Sequence, residues 1–105
     1  MKRAIFLTAA LFCGCITMGT PFDVGKVPGI QVGKTTEKEL RLAFGEPYRT
    51  GVEDGDDTET WLDYKYSLLG EQKTRDLYVK FNADGTVKSY SFNSSLPEDQ
   101  ARLKK

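Results

Sequence analysis

Apolar residues recur at i, i+3 and i+4 in Leu40, Ala43 and Phe44, and signals for the two ends of a helix flank them. Thr36 followed by Glu39 is a capping box. The threonine hydroxyl accepts from an unpaired helix N–H, and the glutamate reaches back to the N–H of the cap. Glu37 and Glu39 add negative charge at the positive end of the helix dipole. Gly45 stands where a left-handed residue closes a helix, and Pro47 keeps the helix from resuming. Gly33 allows a sharp entry. The pattern predicts one short helix from Thr36 to Phe44.

Downstream the period changes from 3.6 to 2. Residues 60–68 are rich in aromatics, with Leu62, Tyr64, Tyr66 and Leu68 on one face. Residues 74–82 alternate, with Leu77, Val79 and Phe81 opposite Asp76, Tyr78 and Lys80. Ala83-Asp84-Gly85-Thr86 reads as a tight hairpin in which Asp-Gly takes the positive φ angles. In residues 86–93, Val87, Ser89 and Ser91 alternate against Lys88, Tyr90 and Phe92. One face of such a meander must be covered. The predicted fold is therefore α+β: a short helix packed on a three-stranded antiparallel meander as a two-layer sandwich. Its helix stripe lies across Leu77, Val79, Phe81, Val87 and one face of the first strand.

The N-terminal stretch follows neither period. Lys2 and Arg3 precede an apolar run from Ala4 to Phe12, too short to span a bilayer as a helix. The run ends in Cys13-Gly14-Cys15, which resembles the lipobox of bacterial lipoproteins. Gly14 fits the small position before the acceptor, so Cys15 is the expected lipidation residue; Phe12 stands where the pattern prefers Leu. Cleavage before Cys15 removes Cys13, leaving one cysteine and no intramolecular disulfide. Acylation would also protect that thiol in an oxidising compartment. The expected division is a signal peptide over 1–14, a lipidated Cys15 and flexible tether over 15–29, a domain over 30–93 and a mobile tail over 94–105. The tether is marked by Pro21, Gly25 and Pro28-Gly29.

Charge and composition narrow the function. The 105-residue chain carries fifteen basic and fifteen acidic residues, and loss of Lys2 and Arg3 leaves thirteen against fifteen, a net −2. A nucleic-acid partner is not expected, because such binding needs a basic field. No histidine is present, which excludes histidine acid–base chemistry and histidine metal sites. The serines lie in no nucleophile motif. Gly33-Lys34-Thr35-Thr36 has the end of a phosphate-binding loop, but Pro28 stands where the first glycine belongs. Glu53, Asp54, Asp56, Asp57 and Glu59 invite a calcium loop, yet Glu59 occupies the position that needs the turning glycine. Neither an enzyme nor a metal or cofactor site is expected, and the acidic cluster reads as a solvated, hairpin-like loop.

Several of these features occur together in one order: Gly33, Thr35-Thr36, Leu40, Phe44-Gly45-x-Pro47, Trp61, Tyr64 and Leu77-x-Val79-x-Phe81-x-x-Asp84-Gly85-x-Val87. In that order and spacing the chain resembles the SmpA/OmlA (BamE-like) family of small outer-membrane lipoproteins over residues 30–92. The resemblance implies a lipid-anchored, periplasm-facing protein of the outer membrane, and Ile16 after Cys15, where an Asp would retain the protein at the inner membrane, agrees. It implies a non-catalytic scaffold with a protein partner, a barrel-assembly subunit, and contacts to phospholipid. In the family two helices precede the sheet. Residues 48–60 would have to hold the second, and Gly51, Asp54-Gly55 and Asp56-Asp57 disfavour it.

Candidate partner-binding residues are Ile30, Val32, Tyr48, Trp61, Tyr78, Tyr90 and Phe92, since aromatics are enriched at interface hot spots. For Trp61, core packing is an equal expectation. An alternative function is a lipid-anchored binding or inhibitor module whose small α+β architecture resembles half of the β-lactamase-inhibitor-protein fold. The acidic 53–59 loop would then face a basic periplasmic partner.

Overall fold

A computed structural model describes residues 15–70 and 72–103; the expected signal segment, Glu71 and Lys104-Lys105 lie outside the described residues. The architecture is α+β. Strands β1 (Cys15–Gly19), β2 (Arg49–Glu53), β3 (Asp56–Ser67), β4 (Gln72–Phe81) and β5 (Val87–Ser94) form one antiparallel sheet. A 3-10 helix (Val24–Gly29) and helices α1 (Glu37–Phe44) and α2 (Pro97–Leu103) complete it. The three expected strands are present as β3, β4 and β5, and two more flank β3. Both pair with the edge of β3 that β4 leaves free: β2 along Asp56–Thr60 and β1 along Asp63–Ser67.

Helix α1 forms as its signals predict. Thr36 Oγ1 accepts from the Glu39 N–H at 3.2 Å, and Glu39 Oε1 accepts from the Thr36 N–H at 3.0 Å. Leu40 and Phe44 are buried, and Gly45 closes the helix at φ 86°. Backbone bonds from Gly33 N to Val87 O and from Val87 N to Thr35 O, both 2.8 Å, tie the helix entry to the start of β5.

Residues 48–60, expected as an acidic loop, are β2, a two-residue turn and the first part of β3. Asp54 (φ 54°) and Gly55 (φ 83°) both adopt positive φ, as a type I′ hairpin requires. The Asp84-Gly85 hairpin differs: only Gly85 takes positive φ, and the Gly85 N–H donates to Asn82 O at 3.0 Å.

The stretch read as a flexible tether is part of the fold. Cys15–Gly19 is strand β1, and Phe22, Val24 and Val27 are core residues together with Ile30, Leu40, Phe44, Trp61, Leu77, Val79, Phe81 and Val87. Phe22 packs edge-on against Phe44 at 5.8 Å and Phe92 at 6.3 Å between ring centroids. The physical reason is size. One two-turn helix cannot cover the inner face of five strands, and these apolar side chains supply the missing cover. The tail is also ordered through α2. Asp99, buried, accepts from Arg75 Nε at 2.6 Å and Nη2 at 3.1 Å and from Ser94 Oγ at 2.7 Å, while Leu103 packs against the core.

Gly19 is required where β1 leaves the sheet. Its φ is 77°, and a Cβ there would lie 2.1 Å from the Leu62 carbonyl oxygen. The close approach lets Thr20 N–H bond that carbonyl at 3.0 Å and turns the chain toward the covered face.

Candidate interaction surface

The register assigns every strand residue to a face. On β3 the odd positions point inward: Trp61 opposite Leu77, Glu59 opposite Val79 and Asp63 opposite Arg75. Leu62, Tyr64 and Tyr66 therefore point outward. On β5 a bulge changes the parity. Lys80 pairs with Ser89 and Phe81 with Val87, so Lys88 is the extra residue. Val87 consequently shares the inner face with Tyr90 and Phe92 and not with Ser89 and Ser91.

This arrangement redistributes the sequence candidates. Ile30 (7% exposed) and Trp61 (2%) are core residues, and Tyr90 and Phe92 pack partly buried against the core. Ile30 and Trp61 are taken up by packing and are corrected from partner contacts, while Tyr90 and Phe92 turn one side to the core and stay partly exposed. For Tyr90 and Phe92 the reason is the bulge; for Ile30 and Trp61 it is that the inner face needs filling. The Trp61 indole N–H also donates to Gly45 O at 2.8 Å, joining the helix end to the sheet. Val32 and Tyr48 are exposed. Tyr48 lines a cavity of about 280 Å³ at the seam between β1 and β2, with Gly19 and Leu62. Tyr78 is half-buried on the outer face, and its hydroxyl donates to Glu53. Val32, in the loop before α1, is separate from both.

The residues the structure does bring together are others. Strand β1 sets Met18 opposite Tyr64 and Ile16 opposite Tyr66. With Leu62 they make an apolar patch on the outer face, in which the Tyr64 and Tyr66 rings meet edge to face at 6.2 Å. Ile16 is 61% exposed and Met18 37%. All three helices pack on the inner face, so no described element crosses this patch. The signal was present in the alternation of Leu62, Tyr64 and Tyr66; the pairing of Ile16 and Met18 with them was not. Cys15, the expected lipidation residue, starts β1 opposite Ser67 and is exposed.

Four of the five acidic residues of 53–59 are engaged within the domain. Glu53 and Asp54 approach Lys80 Nζ at 3.6 and 3.7 Å, and Asp56 accepts from Lys88 Nζ at 2.8 Å. Glu59 points inward, its side chain 3% exposed, and accepts from Arg41 Nη2 at 2.8 Å. Arg41 also reaches Glu37 at 3.5 Å and Glu46 at 3.2 Å. Burial pushes the Glu59 carboxyl up to about 7, and the neighbouring Glu37 carboxyl adds to the rise against the opposing pull of Arg41.

The sequence matches no protein-family model and no curated protein.

Glu59 gives the domain a pH response. Its folded value lies above the ordinary 4.5, so the folded state holds a proton that the unfolded chain has released. This contribution to stability is full below about pH 4.5 and is lost as pH rises through about 7. Glu59→Gln keeps an acceptor for Arg41 and offers Glu37 a donor without the charge. The variant should be more stable than the parent at pH 8 by about 2 kcal/mol, with the difference vanishing near pH 4. Urea denaturation at both pH values checks this; equal gains at both would contradict the titration of Glu59.

Proposed function

We propose that the chain is a lipid-anchored, non-catalytic docking protein of the bacterial outer membrane, held through Cys15 and facing the periplasm. Its partner is a protein of the envelope, a subunit of the barrel-assembly machinery in the sense that the SmpA/OmlA resemblance implies. The observation that carries this proposal is the outer-face patch of exposed Ile16 and Met18 and half-buried Tyr64 and Tyr66, set around buried Leu62, where β3 pairs with a strand that begins at the lipobox cysteine. Apolar area of this kind on a small domain marks an interaction site, and two tyrosines supply the amphipathic rings favoured at hot spots. Glu53, Asp54, Asp56 and Glu59, paired with Lys80, Lys88 and Arg41, are less available to a basic partner than an open acidic loop would be.

Crosslinking and mass spectrometry on envelope membranes carrying the full chain tests the proposal. Cys15→Ser should accumulate as unprocessed precursor, and normal processing with fatty-acid labelling would refute the anchor. Tyr64→Ala and Tyr66→Ala should weaken partner recovery by roughly 1–2 kcal/mol each with circular dichroism unchanged. Charge reversal at Asp54 and Asp57 should matter little. Unchanged recovery in the tyrosine variants and lost recovery in the reversals would establish the inhibitor-like alternative instead.

A further inference from the structure

Strand β1 runs without slack from Cys15 into the sheet. The ladder pairs Cys15 with Ser67, Ile16 with Tyr66, Thr17 with Lys65, Met18 with Tyr64 and Gly19 with Asp63. Paired strands lie about 4.8 Å apart, so the Cys15 backbone sits one strand spacing from Ser67. The next two residues of β3's chain are Leu68 and Leu69, 83% and 93% exposed, the two most exposed large apolar residues described. A chain held to lipid at Cys15, with no leash between anchor and sheet, carries this turn to the lipid surface. From this geometry we infer that the Leu68-Leu69 turn is a second membrane contact, inserting into the phospholipid interface beside the anchor and fixing how the domain stands on it.

The inference rests on the proposed lipid attachment at Cys15 and deepens it. Three further observations fit a lipid occupant. The turn satisfies part of its own backbone: Gly70 N–H donates to Ser67 O at 3.0 Å, and Leu69 N–H donates to Ser67 Oγ at 3.1 Å. Backbone entering an apolar medium needs such internal partners. Lys65 is exposed at the same end and lines, with Cys15, Leu96 and Lys73, whose Nζ lies 3.4 Å from Asp63, a cavity of about 550 Å³. Long basic side chains at that depth reach phosphate groups while their stems remain in apolar surroundings. Glu53, Asp54 and Lys80 occupy the end of the outer face away from the turn. Among the described residues the other exposed leucine, Leu42 on α1, stands alone. That helix lies over the half of β3 that pairs with β2, through Arg41 and Glu59.

The test uses the full chain purified from membranes, with its own N-terminus, on phosphatidylcholine vesicles brominated in the acyl chains. The variants are Leu69→Trp and Leu42→Trp, against the parent, whose one tryptophan, Trp61, is buried. Insertion to the headgroup–acyl boundary predicts a blue shift and loss of roughly half of the added emission for Leu69→Trp, and neither for Leu42→Trp. Leu68→Asp in the Leu69→Trp background should restore the emission. Equal quenching at both positions, or quenching at neither, overturns the proposal. Intact mass of the same sample reports acylation independently. Absence of acyl chains refutes the Cys15 attachment alone, and the quenching contrast still decides the turn.

Discussion

Trp61→Ala is expected to remove about half or more of the domain's stability. The indole is 2% exposed, its ring lies 6.0 Å from that of Phe44, and its N–H holds the Gly45 carbonyl. Truncating a buried tryptophan costs roughly 3–5 kcal/mol. Leaving the Gly45 carbonyl without its donor adds about 1 kcal/mol. A domain of this length holds roughly 5–10 kcal/mol in all. The fall in melting temperature should be on the order of 15 °C or more, at several degrees for each kcal/mol. Trp61→Phe fills most of the volume and loses the hydrogen bond, so it should cost less, about 1–2 kcal/mol. Urea denaturation followed by circular dichroism checks both, because the fluorescent group is the one removed. An unchanged midpoint in Trp61→Ala together with lost partner binding would return Trp61 to the contact role that its residue type first suggested.

Asp99→Ala is expected to release α2 and to destabilise the domain by about 3 kcal/mol. The carboxylate is 1% exposed and receives three hydrogen bonds, two from Arg75 and one from Ser94. Breaking a buried ion pair by removing one partner typically costs 3–5 kcal/mol. Here the loss falls at the lower end, since Arg75 keeps Asp63 at 3.6 Å. Hydrogen bonding from Arg75 holds the Asp99 carboxyl below its ordinary value. A depressed folded value means stability present above about pH 4 and lost as pH falls through that lower value. Asp99→Asn should suffer less than Asp99→Ala at pH 7 and should lack this acid response. Hydrogen exchange should show α2 losing protection in Asp99→Ala before β3 and β4 do. Equal protection of α2 in parent and variant would mean that Leu103 and its apolar neighbours hold the helix without the ion pair.

The sequence by itself determined the local elements whose signals lie within a few residues. The capping box, stripe and closing glycine of α1 are satisfied by neighbours three and four positions away, so their geometry follows from the order of residues. The alternation in β4 fixed its two faces, because side-chain direction in a strand has period two. The α+β class followed from these. Asp54-Gly55 was legible too, as a type I′ hairpin signal, but the surrounding carboxylates read more readily as solvated loop. Their partners Lys80, Lys88 and Arg41 are far along the chain or on another element.

Only the tertiary structure decided the rest, for one physical reason: the deciding contacts are between residues distant in sequence. Cys15–Gly19 is a strand because β3 extends beyond β2 and offers an open edge there. Phe22, Val24 and Val27 are buried because the inner face exceeds what α1 covers, which no local pattern records. The bulge at Lys88 reverses the facing of Tyr90 and Phe92, since a single extra residue shifts a period of two. The same kind of long-range pairing sets Cys15 opposite Ser67, fifty-two residues apart in the chain and one strand spacing apart in the sheet, with Leu68 and Leu69 next along the chain.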